Sequence, residues 1–246
     1  YLAARQASIM GDFAAASEYY GRAIENDPEN AALLERAVLA TVSLGHVAEA
    51  AGFADQLVEQ GGRSQLAQMA LVARDARSEN YSAVLMGIDD GRGAGPLADG
   101  LIEAWAELGQ GDMSAALVAF DEVAAQQGLG PFASYHKALA LASVGDFDSA
   151  EAIFAAGGSG GVAMTRRAVM ARVEILSQLD RFDEALALID DNFGPDLDPG
   201  LAEMRARIAA EEKIPFSYVR SARDGMAEVF YSLAGALSSD DNADLT

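Results

Sequence analysis

Three Gly-Asp dipeptides occur in the chain, and each opens the same phrase: "GDFAAASEYY" from Gly11, "GDMSAALVAF" from Gly111 and "GDFDSAEAIF" from Gly145. In each, Gly-Asp is followed by a large apolar residue and then, three positions later, by alanine. The phrase sets a phase. A step of 34 from Gly11 reaches Gly45 in "LGHVAEAAGFA", and another 34 reaches Glu79 in "SENYSAVLMGI". A step of 32 then reaches Gly111, 34 reaches Gly145, and 35 reaches Asp180 in "LDRFDEALALI". Self-similarity at this period is the mark of a helical solenoid, in which each unit must stack on its neighbours to bury an apolar face.

Each position in the phrase has a mechanical reason. Glycine takes the left-handed backbone that closes a helix, as expected at Gly11, Gly45, Gly111 and Gly145. The aspartate after it, Asp12, Asp112 or Asp146, caps the next helix by accepting from its free N–H groups. The large residue begins a buried stripe: Phe13, Val47, Tyr81, Met113, Phe147, Phe182. Three residues on, Ala16, Ala50, Val84, Ala116, Ala150 and Ala185 let two antiparallel helices approach closely. One turn further along that face stand Tyr20, Ala54, Ile88, Phe120, Phe154 and Ile189. Four of the six prolines, Pro28, Pro96, Pro131 and Pro199, are placed to open first helices, with Asp27 and Asp198 as caps. The coarse reading is helix, short turn, helix, loop, six times over. The loops "GRGAGP" and "GGSGG" absorb the uneven steps.

A helix pair of this length with Gly-Asp-aromatic in the turn, alanine three later and Asp-Pro at the end resembles the tetratricopeptide repeat family. "GDFAAASEYYGRAIENDPEN" matches that family's second helix and closing loop through Gly11, Asp12, Phe13, Ala16, Tyr20, Ala23 and Pro28. The family's small eighth residue of the first helix falls on Ala4, Val38, Val72, Ala104, Ala138 and Val173; its usual Trp and Tyr are mostly missing. The resemblance implies an all-α, right-handed superhelix of antiparallel helix pairs. Its units would be 1–30, 31–64, 65–96, 97–130, 131–165 and 166–193. A divergent helical pair or cap at 194–237 and an acidic tail or linker at 238–246 would follow.

The resemblance also implies a concave groove lined by first helices. Carried onto this chain, its lining positions include Leu39, Met69, Leu101, Trp105, Leu108, Phe132, Tyr135, Leu139 and Met170, with Tyr1, Arg5, Glu35, Val42, Arg77 and Glu174 beside them. The Lys, Asn and Arg with which some members clamp a C-terminal carboxylate are absent. The expectation is a non-catalytic protein–protein interaction scaffold whose apolar strip from Leu101 to Leu139 takes an amphipathic helix or extended apolar peptide. On this reading, Trp105→Ala weakens partner capture without unfolding the array. Two alternatives stay open: these residues pack on each other in a tight superhelix, or the final helix, through Met226, Val229, Phe230 and Leu233, fills the groove itself. At the level of function, the alternative is a docking or regulatory segment of a larger enzyme or envelope assembly machine. A third option is an array that self-associates through its end faces.

Composition narrows the partners. A formal charge of −21 repels nucleic acid and anionic lipid. No apolar run is long enough to span a membrane. The chain has no cysteine, which removes disulfides and thiolate metal sites. No catalytic constellation stands out. His46 and His136 have no partner at ligand spacing; His136 reads as an ordinary helix residue, with a polar groove contact as the alternative. The glycine-rich loops lack Gly-Lys-Ser/Thr, and "DDNAD" at 240–244 lacks a full calcium ladder and reads as a solvated tail. No cofactor or metal is therefore expected. The Ala-rich, acidic, cysteine-free composition looks bacterial. With a start that is already helical, "YLAARQASIM", it points towards the periplasm, with the cytoplasm as the alternative.

Overall fold

The computed structural model describes residues 1–157 and 161–243, with side chains except at 96, 97 and 236–243. Part of the "GGSGG" loop and the last three residues, including Asp244 of "DDNAD", lie outside the described residues. There are fourteen helices and no strand among the described residues. They are α1 (Leu2–Ile9), α2 (Phe13–Asn26), α3 (Ala31–Ser43), α4 (Val47–Glu59), α5 (Gln65–Arg77), α6 (Tyr81–Asp89) and α7 (Pro96–Gln110). After these come α8 (Met113–Ala124), α9 (Gly130–Ser143), α10 (Phe147–Ala155), α11 (Arg166–Gln178), α12 (Phe182–Phe193), α13 (Pro199–Ala209) and α14 (Ala222–Ala243).

Contacts divide the chain into two compact units, Tyr1–Asp99 and Gly100–Thr246. In the first, each helix packs on the next from α1 to α6, and the first helices α3 and α5 also touch. In the second, α8 to α13 pack in the same succession, and α9 touches α11. Hairpins stacked in chain order are the solenoid arrangement the period requires.

All six phased turns close in the same way. At Gly11, the N–H of Gly11 donates to Ser8 O and that of Asp12 to Ala7 O; the same nested pair recurs at Gly45, Glu79, Gly111, Gly145 and Asp180. This pattern needs positive φ at the turn residue, and all six have it, from 56° at Glu79 to 89° at Gly111. Glu79 and Asp180 reach it without being glycine, at roughly 1 kcal/mol each. The same two bonds, again with positive φ, close α4 at Gly61, α6 at Gly91 and α13 at Glu211. Where the phrase has aspartate, the cap forms: Asp12, Asp112 and Asp146 accept from Ala15, Ala115 and Ser149 N–H. His46, Asn80 and Arg181 stand in its place elsewhere and make no side-chain cap.

The alanine line is buried, Val84 included, and so is the small eighth position from Ala4 to Val173. The first core gathers Tyr20, Leu34, Val38, Ala54 and Leu57; a second gathers Val173, Leu176, Ile189, Ile208 and Ile214. Pro96 and Pro199 open α7 and α13, and Pro131 stands in the first turn of α9. Pro28 does not open α3. Asn30 caps that helix by accepting from Leu33 N–H, while Asp27 ends α2 and accepts from Asn30 Nδ2. α14 runs on to Ala243, so residues 238–243, expected as a tail, are helical.

Candidate functional site

After Glu211 the chain does not return directly as a second helix. Residues 212–221 cross irregularly, and α14 then packs on the first helix α9. Ile214 anchors the crossing: its N–H donates to Ser177 Oγ, and its carbonyl accepts from Ser177 and Gln178. Ser217 gives Glu174 both its N–H and its hydroxyl at 2.7 Å. Burial pushes the Glu174 carboxyl above the usual range, and those two donors oppose the shift.

α14 then lies along α7, α9 and α11 through three matched contacts. Gly225 sits against Trp105, and a Cβ there would come within 2.1–2.3 Å of indole carbons. Mid-helix glycine costs roughly 1 kcal/mol relative to alanine, but here only glycine lets the two helices come together. Glu228, one turn on, is buried; it accepts from Tyr135 Oη at 2.8 Å and from Arg167 Nε and Nη2 at 2.9 and 2.6 Å. The Arg167 guanidinium lies over the rings of Tyr218 and Tyr231, 5.0 and 4.6 Å from their centroids. Burial, then the Glu228 carboxylate, drives the Tyr135 hydroxyl far above its ordinary pKa, so it stays a donor.

Another turn along, Ser232 completes a buried relay. Trp105 Nε1–H donates to His136 Nδ1 at 3.1 Å, so the imidazole proton sits on Nε2 and points to Ser232 Oγ at 3.1 Å. The Ser232 hydroxyl in turn donates a hydrogen bond to the Val229 carbonyl. His136 has no exposed surface, and burial lowers its pKa to about 3. The folded chain refuses a proton that the unfolded chain accepts near 6.5. The stabilisation from neutral His136 is therefore complete above about pH 6.5 and is lost as pH falls towards 3. Urea unfolding of the native chain and of His136→Gln should differ in slope across that window by nearly one proton, about 1.4 kcal/mol per pH unit. Parallel slopes would mean the ring titrates in the folded state.

The residues expected to line an open groove divide between the two units. In the second, Leu101, Trp105 and Leu139 have no exposed surface and Tyr135 is buried; Leu108, Phe132 and Met170 are half-buried. The centre of the strip expected to be open, Leu101, Trp105, Tyr135 and Leu139, is covered in this structure. Of the residues read as the final helix's apolar stripe, Met226 and Val229 are buried, and Phe230 and Leu233 half-buried. Among the equivalent positions of the first unit, Tyr1, Arg5, Glu35 and Leu39 are exposed and Met69 is half-buried. Gly225, Glu228 and Ser232 are not among the expected groove residues. Their one shared signal is spacing, since "GMAEVFYS" puts all three on one helical face. Among the described residues no three His, Asp or Glu side chains gather as a metal site, and no helix is long and apolar enough to cross a membrane.

A family model described as tetratricopeptide repeat matches residues 1–64 and 103–163, just over half of the chain. Nothing among curated proteins or solved structures matches it. Period, turn closure, stacked hairpins and this match agree, and the chain belongs to the tetratricopeptide repeat family.

Proposed function

We propose that the chain is a protein-interaction array whose first unit holds an amphipathic segment of a partner against the first helices α3 and α5, centred on Leu39 and Met69. Tetratricopeptide repeats generally mediate protein–protein contacts, and that much applies to this chain. One internal comparison supports the finer reading. Most fifth and ninth positions of the repeat are buried in the second unit, where Trp105 and Tyr135 meet an amphipathic helix of the same chain and Leu139 has no exposed surface. At the same positions in the first unit, Leu39 is 48% exposed and Glu35 is exposed beside it. The two faces share repeat geometry, and one of them displays the kind of occupant it accepts. A charge of −21 selects a partner helix whose polar face is basic. The cysteine-free composition fits a periplasmic setting.

The test uses a fluorescein-labelled basic amphipathic helical peptide and reads anisotropy. Binding to the native chain should be saturable and should weaken with salt. Leu39→Glu should weaken it by roughly tenfold or more, as expected for losing one buried leucine, with the circular dichroism spectrum unchanged. Binding indifferent to Leu39→Glu would exclude this face.

A further inference from the structure

α9, α11 and α14 frame a half-open pocket of about 510 Å³, within the range of roughly 300–1,000 Å³ typical of small-molecule sites. Its walls are mainly apolar: Phe132 and Tyr135 on one side, Tyr231 and Gly235 of α14 on another, and Ala163 before α11. The charges at its edge are already matched. Arg167 is held by both Glu228 oxygens, and Arg166 by Asp198. Tyr135 spends its hydroxyl proton on Glu228, and Ser232 spends its own on Val229. A charged guest would shed water and find no free opposite charge among these groups. An uncharged ring system would lose nothing of that kind and would gain contact with aromatic faces. Gly235 borders the opening of this pocket, and an added Cβ there meets nothing within 4 Å.

We propose that this cavity binds a neutral, ring-bearing apolar small molecule, seated between Phe132 and Tyr231. This site does not depend on the face around Leu39, and the two readings stand or fall separately.

Two fluorescent probes test it: N-phenyl-1-naphthylamine, which is uncharged, and 8-anilinonaphthalene-1-sulfonate, which carries nearly the same rings plus a sulfonate. The native full chain should bind the neutral probe at one saturable site, and the sulfonate at least about tenfold more weakly. Gly235→Phe puts a ring into the open space; it should raise the neutral probe's dissociation constant at least about tenfold without lowering the melting temperature. Should Gly235→Phe unfold, Ala163→Phe fills the cavity from the opposite wall and must give the same loss. Leu39→Glu should leave probe binding unchanged even where it abolishes peptide binding. The proposal is overturned by the absence of saturable binding, by binding that survives the cavity-filling variants, or by equal affinity for the two probes.

Discussion

Trp105→Ala should destabilise the second unit by about 3–5 kcal/mol, the range for emptying a large aromatic site from a core. The indole has no exposed surface. Its edge packs against Phe120, with centroids 5.8 Å apart and planes at 83°, and its flank receives Gly225. Deleting it leaves a void between three elements and strips the buried His136 Nδ1 of the indole N–H that it accepts from, which adds the penalty of an unsatisfied buried acceptor. The sequence alone suggests a different outcome, namely loss of partner capture in an array that stays folded. Urea unfolding followed by circular dichroism separates the two. A loss below about 1 kcal/mol would show that the ring is not the core residue its burial makes it.

Arg167→Met should be of comparable size at neutral pH, about 3–5 kcal/mol, because it strands a buried carboxylate. Glu228 is only 5% exposed, and its remaining partner, the Tyr135 hydroxyl, brings no charge. The sign with pH follows from the group left behind. Burial penalises the ion and not the neutral acid, so the variant should recover part of its deficit once acidification neutralises the stranded carboxylate. Pairing the change with Glu228→Met should restore most of the stability at neutral pH, since a packed apolar pair replaces a broken ionic one. Thermal melts at two pH values decide the matter. A single variant whose deficit deepens in acid, or a double variant no better than the single one, would contradict this account.

Much of the fold could be read from local phrases because its determinants are local. The bonds that close a turn at Gly45 or Asp180 join residues within five positions, and the alanine at Ala16 or Ala150 meets a helix from the same or next hairpin. A period of 34 reports such neighbours directly. The turn was legible even at Glu79 and Asp180, where phase outweighed the absence of glycine. At Pro28 the phrase misled by a few residues: the Asp-Pro signal is sound, but Asn30 is the better-placed acceptor. The occupant of the second unit's face was legible only as one option. Met226 and Val229 reveal an apolar stripe, but not which surface receives it. Glu228 could not be told from the other acids, because what singles it out is Arg167, 61 positions away. His136 likewise looks ordinary until Trp105 and Ser232 stand on either side of it.

The long reach of α14 bears on the order in which the molecule can be built. Its hydrogen bonds to α9 span 93 and 96 positions, whereas successive hairpins meet their neighbours as soon as each is made. Closing so large a loop is entropically dearer than closing a hairpin. While the chain is being made, Trp105, Tyr135 and His136 therefore lack the part of their cover that α14 supplies until the residues around 225–232 have emerged.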